Sequence, residues 1–215
     1  GWSVDRLARV WILLQPNPSD KSGYVHKIEQ LFLTAEMNEL VALYSALPLM
    51  HHPEAWIMRC SEGIRSNIGS VLEAIMYENP YAEKWLEEDA WNQMIMKAFF
   101  TDKQVERIYG LDRRANQKLA NILFDYAHER WQAFRTVNPQ LWRLVGKFID
   151  ESRFADLQKL YREGTAIEKK AAILACSESP YEPARHFEQQ ARKELSVTDL
   201  NWSKLLQEII QTSSN

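Results

Sequence analysis

Cysteine is scarce in this chain: Cys60 and Cys176 are its only two in 215 residues, far apart and at no ligand spacing. That excludes a disulfide framework and a cysteine-built metal site, and it fits reduced thiols in a cytoplasmic protein. Glycine is equally sparse. Its seven residues never cluster, so neither a phosphate-cradling loop nor a dinucleotide fingerprint can be drawn. There is no surplus of positive charge: 26 basic and 29 acidic residues interleave to a net charge of −3. The concentrated basic face of a nucleic-acid binder is therefore missing. Long apolar runs are missing too. The apolar segment at residues 7–14 contains Arg9, follows Arg6, and falls far short of the roughly 20 residues that cross a bilayer. Neither a signal peptide nor a transmembrane span is expected. Because the chain opens on Gly1 instead of methionine, a trimmed start with an N-terminal element ahead of it is expected.

Catalytic signatures are also absent. No Gly-x-Ser-x-Gly elbow occurs, and neither cysteine sits in a recognisable nucleophile context. His51 and His52 are adjacent, so their side chains diverge on regular structure, and His128-Glu129 lacks the second histidine of the two-turn zinc motif. Glu87-Glu88-Asp89 is the one tight acidic run. Three consecutive residues do not share a helical face, so it reads as a negatively charged helix start instead of a magnesium site. No metal and no cofactor is expected.

What is present is helical periodicity along nearly the whole chain, with no sustained alternation of the kind a strand needs. Apolar stripes run through Leu7, Val10, Trp11 and Leu14, through Ile28, Leu31, Phe32 and Ala35, and through Leu40, Leu43, Tyr44 and Leu47. Residues 54–76 keep one register through Ile57, Cys60, Ile64, Ile68, Val71, Leu72 and Ile75, which predicts one long helix that Gly63 and Gly69 could break. After Asn79-Pro80 comes a helix apolar on two sides, with Trp91, Met94, Ile95, Ala98 and Phe99 on one face and Met96 and Phe100 on the other. Such a helix is expected to be sandwiched and central. Leu119, Ile122, Leu123, Tyr126, Ala127 and Trp131 form the next stripe. Beyond Pro139 three short helical faces follow: Leu141, Leu144, Val145, Phe148 and Ile149; then Phe154, Leu157 and Tyr161; then Ile167, Ala171, Leu174 and Ala175. The last two flank Gly164 like one antiparallel hairpin of a repeat stack. Eight tryptophans are available to fill gaps between helices or to line a cavity. The expectation is a single all-α domain over residues 1–215. Its architecture would be stacked antiparallel hairpins, an α-α superhelix of HEAT-like kind with irregular helices in the middle, or else an irregular bundle.

Polarity stands out where the pattern would bury it. Asn92, Gln93 and Lys97 are a polar minority on the central helix, and a buried amide or ammonium costs several kcal/mol unless paired. Arg130 projects within about 20° of Leu119 at 100° per residue, and Arg65 lies close to the stripe of its own segment. Both need acceptors or water. In the loop 110–116, Asp112 is placed to cap the following turn, while Arg113 and Arg114 offer the planar forks that grip carboxylate or phosphate. The arginines could simply pair with structural carboxylates such as Glu73, Glu78 or Asp125. Alternatively Arg65, Asn67, Asn92, Gln93, Lys97, Arg113, Arg114, His128 and Arg130, with Asp112, converge on one polar, ligand-binding pocket.

The phrases Glu62-Gly63-Ile64-Arg65-Ser66-Asn67, Glu78-Asn79-Pro80-Tyr81, Trp91-Asn92-Gln93-Met94, Lys97-Ala98-Phe99-Phe100, Gly110-Leu111-Asp112-Arg113-Arg114-Ala115-Asn116, Asp125-Tyr126-Ala127-His128-Glu129-Arg130 and Leu141-Trp142-Arg143 together resemble the EboA family, encoded in bacterial ebo gene clusters. The likeness covers residues 36–160, and is less distinct in the N-terminal segment and after residue 177. It implies a cytoplasmic protein, in reach of the inner membrane, in metabolite traffic: movement of a secondary-metabolite precursor towards the periplasm or out of the cell. It implies as partners a small metabolite and other proteins of the cluster, among them a membrane prenyltransferase-like protein. The family carries no catalytic residue onto these positions. Three roles are therefore weighed: a non-enzymatic binding protein, an enzyme acting on a prenylated or sugar-like metabolite, and a scaffold whose outer helices dock on a pathway protein.

Overall fold

The computed structural model describes residues 1–213, so the last two residues of the expected 1–215 domain lie outside the described residues. The protein is all-α. Among the described residues no strand forms, and a single isolated antiparallel bridge joins Tyr77 to Ile108. No helix among them is long and apolar enough to cross a membrane. The chain divides into two compact units, Gly1–Leu111 and Asp112–Asn215.

The first unit holds α1 (Val4–Leu13), α2 (Lys21–Thr34), α3 (Met37–Ala46), α4 (Ile57–Arg65), α5 (Gly69–Met76), α6 (Pro80–Trp85) and α7 (Glu88–Phe100). Its helix starts follow local chemistry. Ser3 and Asp20 accept from backbone N–H groups of α1 and α2, and Glu36 with Glu39 closes a capping box on α3. Asn79 caps α6, which opens on Pro80, and its buried amide also donates to the carbonyls of Tyr44 and Ala74 at 3.1 and 2.9 Å. The Glu87-Glu88-Asp89 run sits at the start of α7, as its charge suggests.

Residues 54–76 do not make one helix. They form a 3-10 turn (Pro53–Trp56), α4 and α5, with an extended break through Ser66 and Ile68. Gly63 shows why. A Cβ there would lie 2.5–2.6 Å from Ile75 and Tyr44, so the missing side chain lets α4 pack closely against its neighbours while α5 turns back. Ile68, in register for the core, ends up at the surface. His51 and His52 form part of an aromatic cluster: both edge onto Tyr24, His52 adopts a positive φ of 53°, and Trp56 donates its indole N–H to the His51 carbonyl. Cys60 is wholly buried, and burial pushes its thiol up to about 12.

The second unit holds α8 (Gln117–Gln132), 3-10 turns at Pro139–Leu144 and Gly146–Phe148, α9 (Glu151–Glu163), α10 (Ala166–Ser177), α11 (Glu182–Glu194) and α12 (Trp202–Ser213). Residues Ala171, Ala172, Ile173, Leu174, Ala175 and Cys176 are all buried, because α10 is packed by α9, α11, α12 and the first 3-10 turn. The hairpin expected around Gly164 is present as α9 and α10, with Thr165 and Glu168 forming a capping box in the turn. At 139–149 four of the five expected apolar positions, Leu141, Leu144, Val145 and Ile149, are buried, and Phe148 is half-buried. The backbone is 3-10 instead of α, tightened where Gly146 presses on the Ala175 backbone and a Cβ would meet the Ala175 oxygen at 2.8 Å.

Candidate functional site

In the first unit, Lys97 is explained structurally. Its Nζ donates to the Ser66 carbonyl at 2.6 Å and lies 3.5 Å from Asn67 Oδ1. It therefore holds the α4–α5 break with a positive charge at the C-terminal end of α4. Asn92 is buried and partnered. Arg65 is exposed rather than lodged in an apolar stripe. With Gln93, Ser61, Glu87 and Asp89 it lines a shallow recess of about 240 Å³. Phe100, on the second apolar side expected of α7, is 62% exposed, so that side is not buried at its end.

In the second unit, Asp112 does not cap α8. Asn116 does, accepting from the Leu119 N–H at 2.8 Å, while Asp112 forms a two-point ion pair with Arg143. Glu73, Glu78 and Asp125, the carboxylates considered for Arg113 and Arg114, are taken by Lys103, Arg107 and Arg153. Arg113 and Arg114 have partners of their own. His128 Nε2 lies 2.8 Å from Asp156 Oδ1.

A recess in this unit lies at the C-terminal end of α8. Trp131, Phe134, Arg135 and Thr136 face Lys159, Leu160 and Glu163 of α9, Gly164 of the turn and Glu168 in the first turn of α10, lining an open groove of about 390 Å³. Trp131 is fixed as one wall. It stacks on the buried Trp142 at 5.6 Å between centroids, contacts His128 at 5.7 Å, and carries Lys159 Nζ 4.9 Å from its ring centre. The helix closes in a Schellman arrangement, with Arg135 N–H donating to Arg130 O at 2.8 Å and Phe134 N–H to Trp131 O at 3.0 Å. Arg130 finds its acceptor here as well: Nε donates to Thr136 O at 2.9 Å, tying down the groove's own rim.

Phe134 is the odd member. It occupies the position where glycine is favoured, at a φ of 54°, and its side chain is 99% exposed. A bulky residue in the left-handed region costs roughly 1–2 kcal/mol relative to an ordinary conformation. No burial offsets that cost. Arg135 and Lys159 bring positive charge to the lip and Glu163 negative charge, while Glu168 is engaged by Thr165. Sequence reading placed Trp131 in a core stripe and passed over Phe134, Arg135 and Lys159. Phe134 follows Trp131 by three residues, so periodicity counts it as one more stripe position, and only its dihedral angle sets it apart. Among the described residues no three His, Cys, Asp or Glu side chains group as a metal site would require.

These features define an all-helical protein with an open, aromatic-walled groove of mixed charge. The chain belongs to the EboA family: the family model described as "Metabolite traffic protein EboA" matches residues 1–146. That match starts earlier and stops sooner than the stretch over which the motifs resemble the family, so the N-terminal segment is included. It covers Trp131, Phe134, Arg135 and Thr136 and ends before α9. No curated protein and no solved structure matches the chain.

Proposed function

We propose that this protein serves metabolite traffic without catalysis, holding a small metabolite in the groove at the end of α8. It acts in the cytoplasm on a secondary-metabolite precursor bound for the periplasm and delivers it to other proteins of the ebo cluster, the membrane prenyltransferase-like protein among them. The observation that carries this reading is Phe134, an exposed aromatic side chain in a costly backbone conformation beside a fixed tryptophan. Strain retained at a groove's lip is accounted for by a ligand that needs the ring there. Lys159 and Arg135 favour an aromatic metabolite with an acidic substituent. Of the polar residues singled out in the sequence, Arg130 bears on the groove through Thr136 and His128 through Trp131. Arg65, Asn67, Asn92, Gln93, Lys97, Asp112, Arg113 and Arg114 remain proposed ligand contacts. The α9–α10 hairpin supports a HEAT-like stack presenting such a groove.

The test is a pair of variants, Phe134→Gly and Lys159→Ala, titrated with 1-anilinonaphthalene-8-sulfonate and examined by native mass spectrometry after purification from the native host. Phe134→Gly should leave stability unchanged or raise it by about 1 kcal/mol, since glycine relieves the strain, yet weaken binding of the aromatic sulfonate and lose the co-purifying small molecule. A wild-type protein that carries no small molecule, together with sulfonate binding unaffected by either change, would end the proposal. The enzymatic reading has one observation in its favour, the His128–Asp156 pair beside Trp131. It requires conversion of the co-purified compound, abolished by His128→Ala.

A further inference from the structure

An unusual surface lies on the other unit. Most surface helices turn their apolar stripe inward, and α1 does the reverse. At 100° per residue, Leu7, Trp11, Val4, Ala8 and Ile12 form an uninterrupted arc of about 140°. All five are exposed, Val4 to 84% and Trp11 to 64%, while Val10 is the only buried residue of the helix. The charged side chains are spent elsewhere. Arg6 Nε donates to Ser45 Oγ at 2.6 Å and its guanidinium lies over Trp2 at 5.0 Å, and Arg9 pairs with Asp5 at 3.0 Å and Glu39 at 3.6 Å. No charge interrupts the arc.

From Ile12 the apolar surface continues into a groove of about 350 Å³ lined by Leu13, Leu31, Ala35 and Leu43 among others, with Leu31 still 43% exposed. A ten-residue helix is about 15 Å long and about 10 Å wide, so the arc offers on the order of 300 Å². A stable protein interface needs roughly 800 Å² from each partner, with a polar rim around its apolar centre. α1 has neither the area nor free rim charges. A bilayer surface demands neither. It takes a single helix face about 5–10 Å deep into the headgroup boundary, and it favours tryptophan at that level, where Trp11 stands.

We infer that the exposed face of α1 inserts into the surface of a phospholipid bilayer, by apolar burial and not by charge attraction. This goes beyond the metabolite groove and does not depend on it. The test is flotation of the full chain with phosphatidylcholine vesicles, with and without phosphatidylserine, at low and high salt. The expected result is binding to neutral vesicles that changes less than twofold with phosphatidylserine or salt. Leu7→Glu and Trp11→Glu, both at exposed positions, should each lower it at least tenfold with an unchanged unfolding midpoint, while Met58→Ser, an exposed apolar position on α4, should leave it intact. Three results would overturn the inference. One is no flotation of the wild type. A second is flotation that requires phosphatidylserine and vanishes in salt. The third is a dimer by light scattering that Leu7→Glu dissociates, which would assign the face to a second copy of the chain.

Discussion

Two helices of similar length, α1 and α10, carry comparable apolar content and meet opposite fates. In α10 six consecutive residues are buried, because neighbours pack it on several sides. In α1 only Val10 is buried and the widest apolar arc faces solvent. A periodic stripe announces an amphipathic helix. Whether anything covers the stripe depends on which other faces reach it, and hydrophobic stabilisation accrues only for area removed from water.

That contrast can be broken by mutation. Ile173→Ala in α10 should cost about 2–5 kcal/mol in urea unfolding, whereas Trp11→Ala in α1 should stay within about 0.5 kcal/mol despite the larger side chain removed. Equal losses at the two sites would show that α1 is covered in solution. Next in size is Gly63→Ala, which forces a methyl group against Tyr44 and Ile75 and should destabilise the first unit by about 1–3 kcal/mol. Alanine is the better helix former, so a stabilised variant would contradict the close packing described. Lys97→Met should lower stability by about 1–2 kcal/mol by uncapping α4 at the Ser66 carbonyl; limited proteolysis should then cut first at residues 66–68.

The smallest effect concerns α9. Asp150 accepts from the Ser152 hydroxyl and the Arg153 N–H, bonds that hold its carboxyl below the ordinary value. With the folded pKa below the unfolded one, its contribution is complete above the unfolded value of about 3.9 and is lost as pH falls through the folded value. Asp150→Ala should remove about 1 kcal/mol near neutral pH and flatten the decline in stability below about pH 4. A parallel decline in both proteins would place the acid sensitivity elsewhere.

Local boundary signals were the most legible part of the chain, since the break at Asn79-Pro80 and the acidic start of α7 act within one turn of their own position. Asp112 shows where that reasoning stops. Asp112 and Asn116 both have capping chemistry, and Arg143, 31 residues away, drew Asp112 into an ion pair and left the cap to Asn116. Lys97 was recognised as out of place on an apolar face, yet its acceptor appeared only when α4 ended at Ser66. Phe134 gave no signal at all, because its residue type suits a stripe and its meaning lies in a backbone angle.

The sequence by itself determined that this protein is all-helical and which family it belongs to, because these follow from local periodicity and recurring phrases. Tertiary structure alone decided that residues 54–76 break into pieces, that α10 is enclosed while α1 presents its apolar side, and that the α8 terminus becomes a groove. The reason is physical: which faces are buried is set by contacts between elements distant in the chain, and no spacing rule within one element contains that information.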